Sequence, residues 1–127
     1  MNPNFGILFD MDGTILDTEP LYSKAEIKLF AEYGVTIPDN ELDLFRGYSE
    51  YDFYLKSMQY YNINEDFIIF MNKGRKYVRA EFHNNLKFMP GFKQMMKRLN
   101  NSYKTALVTA APIKTLNFIN SCISLNN

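Results

Sequence analysis

Hydrophobic residues follow two different patterns along the chain. Two short, nearly continuous apolar runs, residues 5–9 and 105–108, end at Asp10 and Thr109. Runs of this kind are typical of strands buried on both faces of a parallel sheet. Between them, apolar residues recur at helical spacing from about residue 16 to residue 86. The pattern predicts a strand, a long helical insertion, a helix, a second strand and a final helix.

Turn and capping residues divide the insertion into helices. The first apolar stripe is closed by Gly34, which suits the end of a helix. Side chains that can accept hydrogen bonds from a first helical turn stand at three later positions. The predicted helix N-caps are Asp39, Ser49 and Asn64. No strand is predicted between residues 18 and 86.

This order of elements predicts an α/β protein with a partial Rossmann-like parallel-sheet core and an inserted all-helical cap. The core is assigned to residues 1–17 and 87–127, and the cap to residues 18–86. Because two strands are few for such a core, an unpaired sheet edge is expected to favour self-association. The sequence is also expected to be a fragment, or a prematurely ended reading frame, of a longer protein.

Two carboxylates carry the clearest chemical signal. Asp10 and Asp12 share one side of the predicted strand end, because successive side chains alternate in a strand. Open α/β sheets bind ligands at this end of their strands. Two close carboxylates repel each other unless a cation joins them or one takes a proton. Both conditions suit phosphoryl transfer, in which Mg²⁺ binds carboxylate and phosphate oxygens and a carboxylate can act as the nucleophile.

The residues after Asp12 bear on the alternatives. Gly13 permits a sharp turn that is expected to leave backbone amides free to face an anion. A solvated turn and a Ca²⁺-binding loop are the competing interpretations. A Ca²⁺ loop would continue with further oxygen ligands at alternate positions, whereas Thr14, Ile15 and Leu16 follow here. The apolar run before Asp10 disfavours a simple solvated turn.

Composition excludes several classes of protein. The chain has 14 basic and 14 acidic residues among 127, so it offers no charge signature for nucleic acid or an anionic membrane. The sequence shows neither an apolar run that could span a bilayer nor a signal-peptide pattern. The single cysteine, Cys122, fits a reducing compartment. The predicted location is the cytoplasm.

At this point the sequence resembles a known family. FDMDGT, at residues 9–14, resembles the first motif of the haloacid dehalogenase superfamily of phosphatases and phosphomutases. The extension DTEPLYS and the helical insertion resemble the helical-cap subgroup, which includes β-phosphoglucomutase-like, phosphoglycolate phosphatase-like and pseudouridine-5′-phosphatase-like enzymes. MPG at residues 89–91 and LVTAAP at residues 107–112 fall where the cap returns and where the second motif is expected.

The resemblance implies specific roles in the core. Asp10 would be the nucleophile and a Mg²⁺ ligand, and Asp12 the general acid/base, with its backbone carbonyl on the metal. Thr109 would bind the phosphoryl oxygens, although a strand-end hydroxyl that caps the next helix is the alternative. The phosphate-binding residues implied are Gly13, Thr14, Thr109 and Ala110.

The resemblance also implies contacts with the substrate from the first motif's extension and from the cap. The residues implied are Glu19, Arg46, Gly47 and Lys73. For Arg46 and Lys73 the alternative is a solvated charge, and for Glu19 a favourable position at a helix N-terminus.

The implied function is a Mg²⁺-dependent phosphatase of a small phosphorylated metabolite, acting through an aspartyl-phosphate. Sugar phosphomutase is one alternative, and a non-catalytic fragment or a phosphate- or partner-binding module is another. The family has a lysine after the second strand and an acidic pair at a later strand end. No residue after Thr109 matches either, since Lys114 falls inside the predicted last helix. The chain alone is therefore expected to be a poor phosphatase.

Overall fold

The computed structural model describes residues 5–99, 102–109, 111–123 and 125. The order of elements predicted from the sequence is confirmed. In chain order they are β1 (Gly6–Asp10), α1 (Glu19–Ala31), α2 (Glu50–Tyr60), α3 (Phe67–Asn85), α4 (Phe92–Leu99), β2 (Lys104–Val108) and α5 (Ile113–Cys122). A short 3-10 turn, Asp39–Glu41, lies between α1 and α2. None of the helices described is long and apolar enough to cross a membrane.

The two strands form a parallel pair, so the predicted parallel-sheet core is confirmed. Leu8 lies opposite Ala106, and Asp10 lies opposite Val108. Parallel neighbours need a long crossover between them, and here the helical insertion and α4 separate the strands in sequence. Both strands therefore end at the same edge of the sheet.

The strands are less buried than their apolar sequences predict. Leu8 is 72% exposed and Val108 is 51% exposed. On the other side of β1, the ring of Phe9 packs edge-on against Phe92 of α4, with ring centroids 5.7 Å apart. The prediction of strands buried on both faces is wrong for the described residues, because every second side chain of each strand lies in solvent.

The chain divides into two compact units. One contains the residues up to Leu21 and from Phe82 onward, and the other is Tyr22–Glu81. Residues 18–86 contain no strand, so the predicted all-helical insertion is confirmed. In the first unit, apolar side chains are buried in the loop after β1, near the end of α3 and on α5. They include Met11, Ile15, Leu16, Phe82 and Ile119.

The second unit has its own aromatic core. Side chains at helical spacing on α1, α2 and α3 meet there, together with one residue of the loop before α3. The buried members are Leu29, Phe30, Tyr54, Ile63 and Phe70. The ring of Phe70 lies 5.9 Å from that of Phe30 and 5.8 Å from that of Tyr54. Each fully buried side chain of this size contributes roughly 1.5–3 kcal/mol to folding.

The predicted helix ends are correct in part. Ser49 caps α2, since its hydroxyl accepts a hydrogen bond from the Asp52 amide at 3.1 Å. The predicted cap at Asp39 is wrong, because Asp39 is the first residue of the 3-10 turn, which Pro38 precedes without a side-chain cap. The cap predicted at Asn64 is two residues early. The Asp66 carboxylate accepts the Ile69 amide at 3.1 Å, just before α3.

We expect Gly74→Ala to destabilise the protein by about 1–3 kcal/mol through overpacking. A Cβ at position 74 would lie 2.4 Å from both Cε1 and Oη of Tyr54, whose ring is buried. At an exposed helical glycine the same change would stabilise by about 1 kcal/mol. Urea unfolding gives the sign. A smaller loss in the Tyr54→Leu background would identify the ring as the cause, and unchanged stability of Gly74→Ala would contradict the close contact.

Candidate active site

The parallel pair places the predicted core residues at one edge of the sheet. Asp10 ends β1 opposite Val108, and Thr109 is the next residue along the second strand. Asp12 lies two residues beyond Asp10, past the buried side chain of Met11. The site thus draws on two segments that are almost 100 residues apart in sequence.

A tight loop follows β1 and is anchored by Met11. The Met11 carbonyl accepts hydrogen bonds from the amides of Ile15 and Leu16, both at 3.0 Å. Gly13 adopts a left-handed conformation with φ of 74°, which a residue with a side chain rarely tolerates. The first motif therefore folds into a defined turn that holds Asp12 at its start.

The expectation that Gly13 leaves its amide free for an anion needs correction. Its N–H donates to the Leu16 carbonyl at 2.9 Å, and the Thr14 N–H points to the Met11 carbonyl at a longer 3.4 Å. The turn itself uses these donors. In this conformation Gly13 shapes the loop, and its amide is not directed at a ligand.

The two aspartates have different surroundings. Asp10 is exposed at the end of β1, and its Oδ1 accepts the amide of Met11 at 2.9 Å. Asp12 accepts a hydrogen bond from the Thr18 hydroxyl at 2.7 Å. Desolvation raises the pKa of Asp12, the Thr18 hydrogen bond opposes this, and the charges of Asp10 and Glu19 raise it further. Asp12 is therefore the carboxyl that holds a proton more readily than an ordinary aspartic acid.

Thr18 is a site residue that the sequence analysis missed. It is fully buried, and its hydroxyl reaches back to Asp12, six residues earlier. Its carbonyl accepts the Leu21 amide at 3.0 Å as α1 begins. A threonine before a helix is ordinarily interpreted as a helix cap, so the bond to Asp12 has no signature in the sequence.

Glu19 opens α1 beside the same loop. A Cβ built on Gly13 would lie 3.5 Å from its Oε1, and its charge contributes to the raised pKa of Asp12. Glu19 thus adds a third acidic side chain near the first motif, close to the turn rather than in it.

Thr109 forms a turn before α5. Its Oγ1 accepts the Ala111 amide at 3.1 Å, and because this bond uses an oxygen lone pair, the hydroxyl proton can still be donated. Pro112 precedes α5 and supplies no side-chain cap, which leaves the first-turn amides without that partner. Ala110, also predicted to bind phosphate, lies outside the described residues.

Arg46, Gly47 and Lys73 belong to the second unit, where each of the two charged side chains lies near a carboxylate. Arg46 forms an ion pair with Asp43, and Gly47 next to it has φ of 86°. Lys73 lies 5.1 Å above the ring of Tyr33 and 3.9 Å from a carboxylate oxygen of Glu65. The hydrogen bond with Tyr33 raises the pKa of Lys73.

The donor set at the first motif fits a magnesium ion. Among the described residues, no three His, Cys, Asp or Glu side chains are grouped as a metal site. Asp10 and Asp12 nevertheless form a repelling pair at an accessible sheet edge. Mg²⁺ commonly uses one or two carboxylates and takes its other oxygens from water and phosphate. A pair of this kind is therefore sufficient for protein ligation.

Comparison with known proteins identifies the class. Residues 7–121 match the haloacid dehalogenase-like hydrolase family. This match covers most of the chain, so the chain belongs to that family, and the predicted membership is confirmed.

Relatives within the family include sugar phosphate phosphatases. The phosphorylated carbohydrates phosphatase of Thermotoga maritima is 27% identical over 107 residues, which are 84% of this chain and 50% of that protein. Fructose-1-phosphate phosphatase YqaB of Escherichia coli is 57% identical over 30 residues, which are 24% of this chain and 16% of that protein. The match spans about half the length of the Thermotoga protein and a smaller part of the Escherichia coli protein.

Solved structures share the fold. A Thermotoga maritima protein assigned as a β-phosphoglucomutase superposes with a TM-score of 0.77 at 24% identity. The superposition covers 95% of this chain and 56% of that one. The chain thus shares the fold of that protein.

Glu26, on α1 in the second unit, was also missed by the sequence analysis. Burial raises its pKa to about 7, the positive charge of Arg46 opposes the shift, and Asp43 adds to it. The sequence shows Glu26 only as a glutamate at a helical position, so a buried carboxyl near Arg46 was not expected.

The stability of wild type is expected to fall as pH rises, because the Glu26 carboxyl loses its proton. Glu26→Gln is expected to remove this fall. The folded-state pKa of about 7 exceeds the ordinary 4.5, so the folded protein binds this proton more tightly than the unfolded chain does. That stabilisation is complete below the unfolded pKa and is lost as pH rises through the folded one. Between pH 5 and pH 8, the free energy of unfolding measured in urea should fall by about 2–3 kcal/mol more in wild type than in the variant.

The matched control is Glu32→Gln, an exposed position just after α1, which should keep the pH dependence of wild type. Equal pH dependence of wild type and Glu26→Gln would contradict the burial of the Glu26 carboxyl.

Proposed function

We propose that this chain contains the nucleophile and the neighbouring part of the active site of a Mg²⁺-dependent phosphatase, which acts on a small phosphorylated metabolite. The observation that carries the proposal is the parallel register, in which Asp10 lies opposite Val108, the residue before Thr109. This register supports the proposal, because one sheet edge then has a carboxylate that could act as the nucleophile, a second carboxyl with a raised pKa and a hydroxyl that could donate. Membership of the haloacid dehalogenase-like hydrolase family supports it.

In the proposed reaction, an Asp10 oxygen attacks phosphorus while the bond from phosphorus to the leaving oxygen breaks. Asp12 gives its proton to that oxygen, which leaves as an alcohol. Asp12 then takes a proton from water, whose oxygen attacks the aspartyl-phosphate and releases inorganic phosphate and free Asp10. A raised pKa suits the first of these roles, because the Asp12 carboxyl then keeps its proton to a higher pH than an ordinary aspartic acid does.

Other side chains would hold the phosphoryl group. The Thr109 hydroxyl, the Ala110 amide and the first turn of α5 would donate to its oxygens, as helix N-termini do for anions. Gly13 and Thr14 would shape the loop around it. The Asp10 carboxylate and the Asp12 carbonyl would hold Mg²⁺, which when bound offsets the negative charge of carboxylates and phosphate.

The substrate class proposed is a sugar phosphate, since the curated relatives act on phosphorylated carbohydrates and on fructose 1-phosphate. Residues 18–86 would act as the cap, and residues 1–17 and 87–127 as the core. Arg46, Gly47 and Lys73 would meet the part of the substrate outside the phosphoryl group, and Glu19 would support the loop. Thr18 would keep Asp12 oriented through its 2.7 Å hydrogen bond.

Two further proposals accompany this function. The single cysteine is consistent with a reducing cytoplasm. The exposed apolar side chains of β1 and β2, with Leu8 72% and Val108 51% exposed, favour self-association of the sheet. Sedimentation of the purified chain, with Leu8→Lys as comparison, tests the second point, because a monomer at all concentrations would contradict it.

We expect weak turnover of an aryl phosphate by the 127-residue chain, fully dependent on Mg²⁺ and abolished by Asp10→Asn. Turnover should be weak because both aspartates bring negative charge to an anionic substrate. Each missing donor to the charge that develops in the transition state costs about 10²–10³ in rate. Phosphate release by the purified chain is the measurement.

The control for that experiment is Asp17→Asn, the same chemical change seven residues further along and outside the proposed site, which should leave turnover unchanged. Activity that survives Asp10→Asn would contradict the nucleophile assignment. Fast turnover lost in Asp10→Asn would keep the assignment but would show that the expected weakness is wrong.

A further inference from the structure

The segment that contains Arg46 and Gly47 is an ordered series of turns. We call residues 39–48 the Arg46 loop. Its amides donate to carbonyls three residues earlier, with Leu44 bonded to Glu41 at 3.1 Å and Arg46 to Asp43 at 3.1 Å. These local bonds define the shape of the loop but do not attach it to the helices around it.

Glu41 makes that attachment. Its Oε1 accepts the hydroxyl of Tyr60 at 3.0 Å, and its Oε2 accepts the hydroxyl of Tyr61 at 3.2 Å. The two tyrosines stand at the end of α2, and their rings meet edge to face with centroids 4.9 Å apart. Burial and the bond to Glu41 raise the pKa of Tyr61 to about 12. Both carboxylate oxygens of Glu41 are thus engaged by one short stretch of α2.

Phe45 makes a second attachment at the other end of the loop. Its ring lies 5.8 Å from that of Tyr60 and 6.1 Å from that of Phe53. Arg46 follows directly, with its side chain about half exposed. Tyr60 therefore contacts the loop twice, through its hydroxyl to Glu41 and through its ring to Phe45.

We propose that Glu41, Tyr60 and Tyr61 are positioning residues that set the orientation of Arg46 and Gly47, and through them the affinity for the sugar part of the substrate. This inference rests on the proposed function, in which Arg46 and Gly47 meet that part. Neither tyrosine hydroxyl is needed to fill the aromatic core, whereas both hold the Glu41 carboxylate near the start of the loop. Losing them changes where the loop sits more than whether the cap folds.

The test is the double variant Tyr60→Phe/Tyr61→Phe in the full 127-residue chain. It removes both donors to Glu41 but keeps the ring contact with Phe45. The control is Tyr51→Phe, since Tyr51 is also on α2 and 58% exposed, and its ring packs on Phe67 outside the loop. Glu41→Gln, which keeps one strong acceptor oxygen, should give an intermediate effect.

The first measurement is amide hydrogen exchange. In the double variant, the amide hydrogens of Leu44, Arg46 and Tyr48 should exchange about tenfold faster than in wild type, because the loop opens locally more often. The exchange rates of α3 and the melting temperature should not change. Tyr51→Phe should change none of them. Unchanged exchange in the loop of the double variant would overturn the proposal.

The second measurement is calorimetric binding of fructose 1-phosphate and of inorganic phosphate, each with Mg²⁺. The double variant should bind the sugar phosphate about tenfold more weakly than wild type and should bind inorganic phosphate equally well. Arg46→Ala should have the same effect. Equal weakening of both ligands would overturn the positioning role, because it would indicate general damage. If wild type binds neither ligand, the proposed function is what fails, and hydrogen exchange alone decides whether Glu41 holds the loop.

Discussion

The parallel pairing of β1 with β2 is the constraint on which the rest of the structure depends. Antiparallel strands would end at opposite edges and would separate Asp10 from Thr109, whereas the observed register puts Asp10 opposite Val108. A parallel pair also requires a long crossover. The helical insertion between the strands is therefore compatible with the sheet, and it can grow into a unit with its own aromatic core, as Tyr22–Glu81 has.

The same edge concentrates negative charge. Burial raises the pKa of the Asp12 carboxyl, the Thr18 hydrogen bond opposes the rise, and the charges of Asp10 and Glu19 add to it. The loop keeps its shape despite this negative charge, because the Met11 side chain is buried and the Met11 carbonyl accepts hydrogen bonds from later amides of the loop. A cation that joins such carboxylates relieves their mutual repulsion.

Local patterns predicted what depends on local chemistry. The apolar run before Asp10, the Ser49 cap and the all-helical insertion were all readable from spacing and residue type. Thr18 was not, because its bond to Asp12 depends on how a six-residue loop folds back. The raised pKa of Glu26 depends likewise on packing between segments distant in sequence. The exposure of Leu8 differs from the prediction for a related reason, since an apolar run reveals a strand but not what covers it.

The central claim is that the ends of β1 and β2 form one anion site. Amide chemical-shift mapping by NMR, with inorganic phosphate added to the chain in the presence of Mg²⁺, tests it most directly. The account predicts saturable shifts at residues next to Asp10, Asp12 and Thr109, and their loss in Asp10→Asn. Shifts confined to other parts of the chain, or unchanged by that substitution, would contradict it.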